Sequence, residues 1–104
     1  MQVIRLTEEA RQDLLSGKAF YDGLQLGVGR WFFDSVVSDI ESLYIYAGVH
    51  EKHFGAYRLL ARRFPYAIYY QLDDNHITVI AILPMRRSPA WLQQQLDKSG
   101  QDEH

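Results

Sequence analysis

Five arginines between residues 58 and 87 are the first side chains here that could do chemistry. Arg58, Arg62, Arg63, Arg86 and Arg87 carry planar, permanently charged donors suited to carboxylates or phosphates. Arg62 and Arg63 flank Phe64-Pro65. Two roles suit them equally: pairing with acidic side chains of the first half, or contacting a partner. Arg86 and Arg87 precede Ser88, where they fix the final helix and its carbonyls or bind a partner. Trp91 follows, as a cover for the core or a recognition residue. His50 and His53 bracket Glu51-Lys52. An H-x-x-H spacing can chelate a metal, and histidine can serve as a general base. No third ligand beyond Glu51 lies near, so the simpler reading is two histidines in a solvated loop. Tyr66 and Tyr70 share one face of a strand and Tyr69 the other. At least one of these faces is expected to be half exposed, because buried phenols need hydrogen-bond partners.

The elements that must position these groups follow from periodicity. Val3 to Leu6 is branched and apolar and predicts a first strand. Thr7 is a helix N-cap, with Glu8 and Glu9 complementing the dipole of a helix over roughly 8–22. Ala10, Leu14, Gly17 and Tyr21 fall on one face of it. Gly17 costs this helix about 1 kcal/mol relative to Ala, and a small residue there lets another helix approach closely. Gly23, Gly27 and Gly29 mark a turn. A longer helix is predicted over roughly 28–47. Phe33, Val36, Ile40, Leu43 and Ala47 form its apolar seam, with Ser35 and Asp39 on the remaining surface. A short glycine-rich link makes the two helices an antiparallel hairpin.

Gly48 ends that pattern, and 48–55 read as loop. The period then becomes two. Strands are predicted over 57–61, 66–72 and 76–83, with Asp73-Asp74-Asn75 as a tight connection. Phe64-Pro65 interrupts the pairing before Tyr66, because proline has no amide hydrogen. Ser88-Pro89 restarts a helix, with Trp91, Leu92 and Leu96 on one side. Residues 99–104 read as a frayed tail. The order β-α-α-β-β-β-α makes 1–104 one α+β domain, with a strand and helical hairpin packed on a mainly antiparallel sheet.

Composition bounds the function. The chain has 104 residues, 47% hydrophobic and 23% charged, enough apolar side chain for a packed core. Its net charge is −2, which disfavours a strongly basic nucleic-acid binder. Residues 1–49 hold 4 basic and 7 acidic side chains, whereas 50–90 hold 6 and 3. The sheet region is therefore a basic segment in an acidic molecule. Cysteine is absent, so neither disulfides nor thiolate metal sites are available, and the cytosol is the natural compartment. Neither a signal peptide nor a membrane span is expected: the longest apolar run, within 77–83, is far short of ~20 residues.

Several stretches in this order resemble the ParE/RelE superfamily of bacterial type II toxins. Thr7-Glu8-Glu9-Ala10-Arg11-Gln12-Asp13-Leu14 is similar to the family's acidic helix opening with its A-x-x-D-L pattern. Phe20-Tyr21 followed by Gly27-Val28-Gly29-Arg30-Trp31-Phe32 resembles the hairpin of the ParE branch. Arg62-Arg63-Phe64-Pro65-Tyr66-Ala67-Ile68-Tyr69-Tyr70 resembles that branch's R-x-F-P-Y-x-I-x-Y run. Arg86-Arg87-Ser88-Pro89-Ala90-Trp91 is close to the family's H-x-R-[DS]-P-x-x-W. The likeness runs from about residue 3 to 96.

The superfamily implies two activities. RelE-like members are ribosome-dependent ribonucleases that cut mRNA without a metal; ParE-like members bind DNA gyrase and poison it. Metal-free RNA cleavage needs a general base, a general acid and cations around the phosphorane. An ungapped comparison from Gly55 puts Arg58 where RelE-type nucleases carry a first lysine. Leu60 falls where they carry a second, and Ala67 where they carry an arginine. Arg87 falls near another functional arginine. Two cation positions are therefore aliphatic. The resemblance implies a ParE-like gyrase inhibitor with no catalytic residues, silenced by a cognate antitoxin whose disordered segment folds on binding. Antitoxin or target contact falls to Arg58, Arg62, Arg63, Arg86, Arg87 and Trp91. The alternative is a ribosome-dependent endoribonuclease using Arg58 and Arg87 with His53 or Tyr69. Neither reading calls for a cofactor, a metal, a membrane or a small-molecule substrate.

Overall fold

The computed structural model describes residues 2–101. The tail expectation for 102–104 lies outside them. The chain opens with β1 (Val3–Leu6) and α1 (Glu8–Leu24). Thr7 caps α1, its hydroxyl accepting from the Ala10 amide at 3.1 Å. Helix α2 (Val28–Glu41) and a short α3 (Leu43–Tyr46) follow. The single helix expected over 28–47 thus breaks at Ser42, whose hydroxyl turns back to the Asp39 carbonyl.

Next come β2 (Lys52–His53), β3 (Ala56–Leu60), β4 (Tyr66–Leu72), β5 (His76–Pro84) and α4 (Pro89–Gln101). Strand β2 corrects the loop expected over 48–55: its two residues are too few to show a period. Its link to β3 is a two-residue turn, Phe54 (φ 56°) and Gly55 (φ 83°). Two consecutive positive φ values are the hairpin-compatible arrangement.

The sheet order is β1-β5-β4-β3-β2. Strands β2 to β5 form an antiparallel meander. Strand β1 joins its edge parallel to β5, Val3 opposite His76 and Leu6 opposite Val79. Helices cover both faces. On one side α1 and α2 bury Ala10, Leu14, Phe32, Val36, Tyr66, Ile68 and Tyr70. On the other, Leu92 and Leu96 of α4 cover Ala67, Tyr69, Ile80 and Leu83. The half-exposed tyrosine face expected from the sequence is therefore absent: Tyr66, Tyr69 and Tyr70 are all buried. A bulge at Ile80 shifts the register between Tyr69 and Tyr70. It sets Ile80 and Ala81 in the α4-side core together.

The helical hairpin is as close as glycine permits. A Cβ on Gly17 would lie 2.5 Å from the Phe32 ring, and one on Gly29 2.3 Å from the Lys18 carbonyl oxygen. Val36, Ile40 and Leu43 of the expected seam are buried, Phe33 and Ala47 pack partly buried against the same core, and Phe32, not expected in the seam, is fully buried. Ser35 and Asp39, expected on the surface, are buried too. Asp39 is on the inner side because it meets Arg62: its carboxylate accepts from the Arg62 amide and Nε, both at 3.2 Å.

Helix α4 is held at its far end. The Ser99 hydroxyl bonds the Ile80 carbonyl and lies 3.0 Å from the Thr7 hydroxyl. Ser99 is fully buried and α4 runs to Gln101, so residues 99–101 are helical where a frayed tail was expected. No helix of the described residues is long and apolar enough to cross a membrane.

Candidate functional site: a groove between the first and last helices

A groove of about 750 Å³ runs between α1, the end of β5 and α4. The sequence brings it about in three steps. Gly17 lets α2 crowd one side of α1, while Phe20 and Leu24 stand 57% and 67% exposed along the groove. Pro65 and Pro84 end the β4–β5 pairing beneath it. Ser88, whose hydroxyl accepts from the Trp91 amide at 3.2 Å, starts α4 as the opposite wall.

The floor holds one carboxyl. Asp13 Oδ2 accepts from the Ile82 amide at 3.0 Å, a position on β5 beyond the reach of β1. Burial raises its pKa from 3.8 to about 6, against the pull of the Ile82 hydrogen bond. Two phenols flank it. Burial raises the Tyr66 pKa, helped by Tyr21 and by the charge of Asp13. Burial also raises that of Tyr21, partly offset by the Arg86 guanidinium.

The mouth is cationic. Arg86 and Arg87 both line it. Arg87 lies over the Trp91 ring, 4.1 Å from its centroid. Among the described residues neither arginine pairs with a carboxylate. Trp91 also packs on the α4-side core, so it covers the core and supports a surface cation at once. Sequence reasoning named all three mouth residues but missed Asp13. The signal was there: with Ala10, Leu14 and Gly17 it shares the apolar stripe of α1, where a carboxyl is out of place.

The remaining candidates lie elsewhere. Arg62 is the partner of Asp39, with 72% of its own side chain exposed and 3% of the aspartate's. Arg63 is exposed in the β3–β4 turn. Arg58 stands opposite Tyr69, and Leu60 opposite Ala67, in the β3–β4 register. His53 stands opposite Ala56. These rungs share the α4 side of the sheet. The structure thus brings His53, Arg58 and Tyr69 to one face, beside an aliphatic rung. His53 Nε2 and the Tyr69 hydroxyl are both buried there without a hydrogen-bond partner. Burial raises the Tyr69 pKa while Arg58 draws it back.

His50 belongs to the opposite side. The Tyr70 hydroxyl accepts from the Gly48 amide at 2.9 Å and meets His50 Nδ1 in a short contact. Burial lowers the His50 pKa. With its ring engaged there and His53 on the other face, the H-x-x-H spacing does not converge. Among the described residues no group of three or more side chains could hold a metal ion.

No family model matches the sequence, and no curated protein matches it. Among solved structures the chain is similar to one described as the chromosomal ParDE TA system from P. aeruginosa. The TM-score is 0.75 at 18% identity, over 83% of this chain and 98% of that one. The chain has the ParE-like fold. The strand, helical hairpin and meander expected from the sequence are all within it.

Proposed function

We propose that this protein is the toxin component of a type II toxin–antitoxin module. It acts in the cytoplasm by binding and inhibiting DNA gyrase, and a cognate antitoxin neutralises it. The observation that carries the reading is the ParE-like fold combined with an aliphatic Leu60–Ala67 rung. Cleavage of RNA without a metal depends on cations gathered around the phosphorane. Leucine and alanine can neither donate to phosphate nor move a proton, so a binding mode of action is favoured. Arg86, Arg87 and Trp91 are the contact residues for the antitoxin, with Arg58 and Arg63 as further surface cations. Inducible expression in a bacterial host tests this. Growth arrest with relaxed plasmid DNA, reversed by the protein of an adjacent small acidic reading frame, is expected. Purified protein that neither binds gyrase nor alters plasmid supercoiling at micromolar concentration refutes the gyrase target.

A second reading rests on the cluster of His53, Arg58 and Tyr69. A RelE-like ribosome-dependent endoribonuclease would draw its base and acid from these groups and use Arg87 as a further cation. Primer extension on translated mRNA after induction separates the two. Codon-phased cuts that vanish in Arg58→Ala or Arg87→Ala favour the nuclease; intact mRNA during arrest favours the gyrase reading.

A further inference from the structure

The groove has a direction. Asp13 sits at one end, held against Ile82. Tyr21, whose phenol feels Arg86, is two helical turns further along α1. Eight residues of helix at 1.5 Å each put their backbone positions about 12 Å apart along the axis. One end of the floor is therefore a carboxyl in poor contact with water, and the other opens between two guanidinium groups. Between them the walls are apolar: Phe20, Leu24, Pro65 and Trp91. An apolar occupant with its acid at the Arg86 end gains two charge-assisted contacts. The same occupant reversed sets its acid over Asp13, where like charges in a dry groove repel.

We propose that the α1–α4 groove binds a short amphipathic partner segment in one orientation only, with apolar side chains along the floor and its acidic side chain at the Arg86–Arg87 end. The pattern of charge commits the site to this occupant. The two cations lack internal partners among the described residues, and the single floor carboxyl excludes acid from the other end. Asp13 is then the residue that sets orientation, and Arg86 and Arg87 are the residues that set affinity. The inference rests on the antitoxin reading for the natural source of the segment, but its chemistry can be tested without it.

The probe is a phage-displayed library of random short peptides, selected against the folded full chain. Enriched peptides are expected to carry one or two acidic residues on one side of an apolar cluster. Their affinity should fall about tenfold or more for Arg86→Ala combined with Arg87→Ala. Both arginines are exposed, so this variant keeps the fold, as circular dichroism can verify. Asp13→Asn should admit peptides with acid at both ends, which the unaltered protein rejects. Peptides enriched without acidic residues overturn the proposal. So do peptides that bind the double arginine variant as well as the unaltered chain, or an unchanged acid pattern in Asp13→Asn. Failure of the antitoxin reading looks different: acidic peptides are selected, but no neighbouring protein rescues growth. An antitoxin that rescues growth yet binds the double arginine variant unimpaired leaves that reading intact and removes the groove.

Discussion

Asparagine in place of Asp13 should make the protein more stable, and only at neutral or alkaline pH. The carboxyl has a pKa of about 6 in the fold against 3.8 ordinarily. A group that binds its proton more tightly when folded lowers stability once it is ionised. Stability therefore falls as pH rises from 3.8 to about 6 and stays reduced above that. The full difference corresponds to about 3 kcal/mol, at about 1.4 kcal/mol per pH unit. Asp13 is only partly buried, so solvent screening brings the penalty to about 1–2 kcal/mol. The asparagine carbonyl still accepts from Ile82, through a neutral bond weaker by about 0.5 kcal/mol. A net gain of about 1 kcal/mol is expected near pH ~8, and none or a slight loss near pH ~4. Urea unfolding followed by tryptophan fluorescence reads this as a midpoint shift of about 0.5–1 M at the higher pH. An equal gain at both pH values would show that the ionised carboxylate is not the cause. A loss at both would mean that the Ile82 hydrogen bond outweighs desolvation and the reasoning fails.

Gly17→Ala should destabilise by about 1–3 kcal/mol despite alanine's better helix propensity, because the fully buried Phe32 ring has nowhere to move; thermal unfolding checks it. Arg62→Ala should cost about 1–2 kcal/mol by leaving buried Asp39 unpaired, whereas Arg63→Ala should stay within about 0.5 kcal/mol. Parallel denaturant titrations compare the two. His50 has a lowered pKa, so the stability that its neutral form contributes is present above the ordinary 6.5 and lost as pH falls below it. Tyr70→Phe removes the hydroxyl that meets His50 and should cost about 1–2 kcal/mol while leaving this part of the stability–pH profile in place, because burial is its cause; denaturant titrations across pH check both.

Local pattern carried most of the architecture into the sequence. The Thr7 cap, the glycine-marked hairpin and the proline before β4 each act within a few residues, and each is where the sequence implies. What stayed hidden depends on groups far apart in the chain. Nothing near Asp39 announces that Arg62 will reach it, so a buried aspartate reads as a surface one. The tyrosine strand seemed one-sided because α4, some twenty residues downstream, covers its second face. Of the candidate site, the arginines and Trp91 were visible as residue types. The floor was only hinted at: Asp13 stands out of place on the apolar stripe of α1, but the burial that raises its pKa exists only once the sheet is packed against it.

The pairing of β1 with β5 has a consequence for how the protein comes into being. Arg5 reaches Thr78 across 73 positions of chain, and Thr7 meets Ser99 across 92. Such separations slow folding, because a long loop must close before any contact rewards it. At translation speeds of about 5–20 residues per second, β1 waits several seconds on the ribosome with no strand beside it. The helical hairpin emerges early, but the sheet edge it needs does not yet exist. Folding therefore finishes only after β5 and α4 have been made, when β1 can pair with β5 and Thr7 can meet Ser99. Until α4 has been made there is no α1–α4 groove, so any partner that reads the groove acts only after that point.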